Sequence, residues 1–75
     1  MKYIGSIGVG NVLSELGLLE SELGGPWISE MIFIERACRR FEVRPDEVLE
    51  ALIDAENENL VKRTVDGIQI LRHDH

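Results

Sequence analysis

The pair Asp66-Gly67, set between Val65 and Ile68, constrains this chain more than any other feature. An Asp-Gly dipeptide flanked by strand-forming residues is a strong signal for a two-residue hairpin turn. That turn predicts a hairpin over Leu60 to Arg72 in which Val65 pairs with Ile68, Arg63 with Ile70 and Val61 with Arg72. One face of such a ribbon is largely apolar. A two-stranded hairpin is marginal in water by itself, so the residues before it must supply a layer for that face to cover.

Those residues read as helices. From Asn11, apolar side chains recur at Val12, Leu16, Leu19 and Leu23, with Asn11 suited to the N-cap and Gly24-Gly25-Pro26 to the stop. This predicts a first helix over Asn11 to Leu23, weakened by about 1 kcal/mol at Gly17 relative to Ala. The segment Trp27 to Phe33 fits either a short strand or the opening turns of a helix. Over Ile34 to Phe41 the pattern is plainly helical: Ile34, Ala37, Cys38 and Phe41 form one face, and Glu35, Arg36, Arg39 and Arg40 the other. That second helix can start as early as Ser29. A third begins at Pro45, with Asp46 and Glu47 placed to favour its N-terminus and Val48, Leu49, Leu52, Ile53 and Ala55 on its apolar side. It ends near Glu58, where Asn59 can adopt the left-handed conformation.

Size and charge bound what such a fold can do. A chain of 75 residues forms one small domain, burying roughly 60% of the surface its unfolded form exposes, and has no room for a dinucleotide-binding enzyme. With four aromatics (Tyr3, Trp27, Phe33, Phe41) and one cysteine, the core rests on Leu, Ile and Val without a disulfide. The lone Cys38 and the lack of a secretory signal point to a reducing cytoplasmic setting. Apolar runs such as Met31 to Ile34 fall far short of the roughly 20 residues that span a bilayer. Eight Lys and Arg against 14 Asp and Glu give a formal charge of −6, so binding to nucleic acid or anionic lipid would need a local basic patch.

Three helices followed by a tight hairpin is the order of the winged helix-turn-helix family, and the residues from Ile34 onward resemble it. The run Ile34-Glu-Arg-Ala-Cys-Arg-Arg-Phe-Glu-Val43 is similar to that family's second helix and turn, with Ala37 at the small position where two helices approach. Val48 and Leu52 look like its third-helix core, Asn59 stands where the family usually has Gly, and Leu60 to Leu71 is similar to its wing. The resemblance implies a mainly α fold with a small β-hairpin: an arm over 1–10, a winged-helix domain over 11–72 and a disordered tail over 73–75. It also implies a small regulatory protein on double-stranded DNA, the third helix in the major groove while the second helix and wing hold phosphates.

The charges depart from that pattern. The third helix and its end carry Asp46, Glu47, Glu50, Asp54, Glu56 and Glu58, with no Lys or Arg between Pro45 and Val61. Carboxylates so placed are repelled by a phosphate backbone. The cations gather instead at Arg36, Arg39, Arg40 and Arg44 and on the wing at Lys62 and Arg63, which become the candidate nucleic-acid contacts. On that reading, Arg39→Glu with Arg40→Glu abolishes binding and leaves the fold intact. The other reading pairs Arg36 and Arg40 with carboxylates such as Glu35 and Glu47. The acidic third helix, through Glu47, Glu50 and Asp54, then becomes a surface for a basic protein partner, or the chain a homodimer without DNA binding.

The remaining features carry less chemistry. Gly5, Gly8 and Gly10 precede a helix, but no Lys-Ser/Thr follows and no βαβ unit can be completed, so a flexible arm or an edge strand fits them better than a phosphate loop. Trp27 reads as a lid over the core, with a contact role as the alternative. Cys38 suits the apolar face of its helix. His73, Asp74 and His75 lack the framework of a metal site. No histidine falls within the expected domain and no nucleophile, base or paired carboxylate forms a catalytic set, so neither enzymatic activity nor a cofactor is expected.

Overall fold

The computed structural model describes residues 5–72. Helices α1 (Val9–Leu23), α2 (Glu30–Phe41) and α3 (Pro45–Asn57) are followed by strands β1 (Val61–Thr64) and β2 (Gly67–Ile70), an order compatible with winged-helix topology. Of the arm expected over 1–10, Tyr3 and Ile4 lie outside the described residues, and so does the tail at 73–75. The segment from Gly5 to Gly8 is irregular, whereas Val9 and Gly10 belong to α1.

Each helix ends where backbone chemistry dictates. α1 begins two residues before the expected Asn11, because Asn11 acts from inside the first turn: its Oδ1 accepts from the Gly8 N–H at 2.9 Å. Gly24, at φ 74, closes it. At α2 the Ser29 hydroxyl accepts from the Ile32 N–H, so the helix starts at Glu30. Glu42 takes the left-handed conformation at φ 55, and the Val43 N–H returns to the Cys38 carbonyl. Glu47 accepts from the Arg44 N–H at 3.2 Å to cap α3 around Pro45. Asn59, at φ 61, lets the Leu60 and Asn59 N–H groups bond the Ala55 and Glu56 carbonyls, the Schellman closure.

The segment between α1 and α2 is both of the things its sequence suggested. Ile28 exchanges two backbone hydrogen bonds of 2.8 Å with Ile68 of β2, adding one residue of a third strand on the side away from β1. It stops at one residue because Pro26, which would face Ile70 next along, has no N–H, and because α2 starts at Glu30 on the other side.

This bridge also corrects the hairpin register. The pairs are Thr64 with Gly67, Arg63 with Ile68 and Val61 with Ile70, two residues away from the register that an Asp66-Gly67 turn predicts. Val65 and Asp66 form the turn, and the Thr64 hydroxyl accepts from the Asp66 N–H at 3.1 Å. Gly67 belongs to the strand, at φ 129, and a Cβ there would lie 2.5 Å from the Ile28 carbonyl oxygen. A shift by two preserves which side chains share a face, so the apolar face survives.

The core is built from Val12, Leu16 and Leu19 of α1, Phe33 and Ala37 of α2, Val48, Ala51, Leu52 and Ala55 of α3, and Val43, Ile28, Val61 and Ile68. Leu23 and Ile53, expected inside, are 53% and 39% exposed. Leu23 falls at the last residue of α1, beyond the reach of its neighbours, and Ile53 lies on the outward side of α3. Gly5 donates to the Glu42 carbonyl and rests on the turn between α2 and α3, where a Cβ would collide with the Phe41 carbonyl.

Gly67→Ala combines a clash with Ile28 and a positive φ, so it is expected to destabilise the domain by about 2 kcal/mol or more. A urea unfolding curve checks this, with the midpoint falling relative to the unmodified chain.

Candidate interaction surfaces

The candidate arginines are drawn into ion pairs within the chain. Each arginine among the described residues meets a carboxylate, and most of those carboxylates are distant in sequence. Arg36 forms a two-pronged bridge to Glu22 of α1 at 2.9 and 3.0 Å. Arg40 pairs through Nε with Glu15 of α1. Arg39 reaches Glu35 one turn away at 3.3 Å, and Arg44 reaches Asp46 at 3.3 Å. Arg63 of β1 bonds Glu30 at the start of α2, at 2.6 and 2.8 Å, and Glu56 near the end of α3 at 3.4 Å. Arg72 holds Glu20 of α1. Among the described residues, Lys62 is the cation that makes no ion pair, and it is exposed on β1 of the hairpin.

These pairs differ in what they contribute. Arg39 with Glu35 and Arg44 with Asp46 are more than half exposed on both sides, where ion pairs contribute roughly 0–1 kcal/mol and exchange readily for other anions. Glu15 is different: it is fully buried, and neither carboxylate oxygen has a hydrogen bond of good geometry, so the Arg40 guanidinium is its main electrostatic compensation. The double variant Arg39→Glu with Arg40→Glu would therefore remove the compensation of the buried Glu15 and set a second carboxylate beside it, so it does not test binding alone. Glu15, Glu20, Glu22 and Glu30 escaped the sequence reading, and Glu56 entered it only as one of the acids of the third helix. The one signal available was Glu15 itself, spaced at i+3 from Val12 and i−4 from Leu19, on the flank of the apolar stripe of α1.

Hydrogen bonding from Arg72 holds the Glu20 carboxyl below its ordinary value of 4.5, and hydrogen bonding from Arg36 does the same for Glu22. The Arg36 guanidinium is correspondingly pushed up, chiefly by that bond. Cys38 is half-buried and its thiol is pushed up by desolvation and by the nearby Asp46 and Glu47 charges, which makes it a poor nucleophile.

α3 turns Asp46, Glu50, Ile53, Asp54 and Asn57 outward, with Glu47 half-buried beside them. Glu47, Glu50 and Asp54, together with Ala51, line one wall of an open cleft of about 300 Å³, and Gly5, Ser6 and Ile7 form the other. The three carboxylates singled out from the sequence thus share one groove, although Glu47 is also engaged in capping α3. No group of three or more metal-ligating side chains is placed to hold an ion among the described residues, and no described helix is long and apolar enough to cross a membrane. Comparison of the chain with known protein families, with curated proteins and with solved structures finds no match.

Two measurements probe this charge network. Arg40→Ala leaves the buried Glu15 charge uncompensated and is expected to cost about 2–4 kcal/mol, whereas Glu15→Leu releases a half-exposed arginine to solvent and costs less; chemical denaturation of the two variants gives the order. The lowered Glu20 and Glu22 carboxyls contribute stability that is complete above about pH 4.5 and lost as pH falls through their folded values. Thermal melts from neutral to about pH 3 should show that acid limb, and Glu20→Gln with Glu22→Gln should flatten it.

Proposed function

We propose that this chain is a winged-helix protein-interaction module, without catalytic activity, that receives a basic segment of a partner along α3. The observation that carries the reading is the disposition of charge. The arginines that would hold phosphate are matched to carboxylates of their own chain, whereas Glu50 and Asp54 line an open groove and form no ion pair among the described residues. The −6 charge of the whole chain adds a long-range field that attracts a basic partner and repels a nucleic acid. The cleft between α3 and Gly5 to Ile7 is open to solvent, and the exposed Ile53 offers an apolar anchor on the same helix as the acids.

The nucleic-acid reading, a regulator gripping duplex DNA through Arg36, Arg39, Arg40, Arg44, Lys62 and Arg63, keeps one observation in its favour. Lys62 is unpaired among the described residues, and the exposed pairs of Arg39 and Arg44 yield readily to phosphate.

Fluorescence-anisotropy titrations decide between them, with a labelled lysine-rich peptide and a labelled random duplex at about 50 and 300 mM salt. The peptide is expected to bind, more weakly at the higher salt, and Glu50→Gln with Asp54→Asn should lower its affinity about three- to tenfold. Salt-sensitive duplex binding that Arg39→Glu with Arg44→Glu removes would establish the nucleic-acid reading instead. Binding of neither probe would overturn the α3 reading.

A further inference from the structure

The outward face of α1 stands apart from the rest of this acidic surface. The three carboxylates of the helix are all taken up: Glu15 is buried against Arg40, Glu20 bonds Arg72 and Glu22 bonds Arg36. Beside the half-exposed Glu22 held by Arg36, α1 presents to solvent the uncharged stripe Asn11, Ser14, Leu18 and Ser21, with Leu18 at its middle and 45% exposed. Across the seam α2 contributes Ile32, 44% exposed and one turn before Arg36; since Glu22 meets Arg36 and Glu15 meets Arg40 the helices run antiparallel, and Ile32 and Leu18 flank the bridge from opposite sides. The bridge between Glu22 and Arg36 fixes these two positions along one seam. The charges flanking it cancel in pairs: Glu15 with Arg40, Glu22 with Arg36 and Glu35 with Arg39. A face spanning two helices, with two exposed aliphatics and no net charge, thus lies on a chain of formal charge −6.

We propose that a second copy of this chain covers this face, with α1 packed antiparallel on α1 about a two-fold axis near Leu18. Charge selects the occupant. A partner chosen for positive charge is drawn to α3, whereas an identical copy, repelled by every acidic part of the surface, approaches at least cost where neither copy presents net charge. The stripe is also nearly symmetric about its centre: Ser14 precedes Leu18 by four residues and Ser21 follows it by three. A two-fold axis there sets leucine on leucine and Ser14 of one copy near Ser21 of the other, which is the self-complementarity an isologous contact needs. Helices of 15 and 12 residues offer on the order of 400 Å² per copy, about half of a standard interface, so the dimer is weak, with a dissociation constant on the order of 10–500 μM. This inference does not depend on what binds α3.

Sedimentation equilibrium of the full chain from about 10 μM to 1 mM tests it. A reversible dimer is expected, and it should tighten as salt is raised, because screening relieves the repulsion between two like-charged copies. That sign is opposite to the salt response of a basic peptide on α3, so the two surfaces are told apart by one variable. Leu18→Glu and, at a fully tolerant surface position, Ser14→Glu should each raise the dissociation constant about tenfold or more with an unchanged circular-dichroism spectrum. Glu50→Gln with Asp54→Asn should not weaken it. A monomer throughout the range, a dimer insensitive to both α1 variants, or a dimer that loosens with salt would overturn the proposal.

Discussion

The two backbone hydrogen bonds between Ile28 and Ile68 are the constraint around which the rest is arranged. They join the connection between α1 and α2 to the far strand of the hairpin, so a ribbon that would be marginal by itself becomes part of a packed layer. Because the bridge brings the Ile28 carbonyl against β2, the residue beside Ile68 can carry no side chain, and that requirement assigns Gly67 to the strand rather than to the turn. Pro26 and the Ser29 cap then limit the third strand to a single residue and start α2 immediately after it. Ile28 and Ile68 are themselves fully buried, so the same contact that orders the backbone also closes the core under α1 and α3.

A second organising contact runs between α1 and α2. A fully buried glutamate on α1 makes sense only with Arg40 beside it, and the bridge from Arg36 to Glu22 repeats the arrangement two turns further along α1. These contacts spend the positive charge of α2 inside the molecule. Charge is therefore unevenly disposed over the surface: Glu50 and Asp54 of α3 form no ion pair among the described residues, while Glu15 and Glu22 of α1 are matched by Arg40 and Arg36 of α2. The pattern follows from where the cations were placed, since the chain has 8 of them against 14 acids and commits the arginines to holding elements together.

Much of the fold was legible in local sequence. The positions of three helices, the Gly24 stop, the Pro45 start, the left-handed Asn59 and the existence of a hairpin all come from short-range chemistry that does not depend on tertiary context. The misread hairpin register was decided by Ile28 meeting Ile68, a contact between residues far apart in the chain, and the open choice between strand and helix before Phe33 was settled by that same bridge together with the Ser29 cap. The candidate sites show the same limit. That Arg36, Arg40, Arg63 and Arg72 are basic is plain from the sequence; that they meet Glu22, Glu15, Glu30 and Glu20 is a property of how helices pack. Only the short-range pairs, Arg39 with Glu35 and Arg44 with Asp46, follow from spacing along one element.

Arg63 alone touches three elements: it rises from β1 and holds Glu30 at the first turn of α2 and Glu56 in the last turn of α3. A strand joined in this way cannot open independently of the two helix ends it clasps. In amide hydrogen exchange the hairpin, the start of α2 and the end of α3 should therefore lose protection together, as one cooperative unit. The hairpin of this protein is a clamp on its own helices, and it moves only when they do.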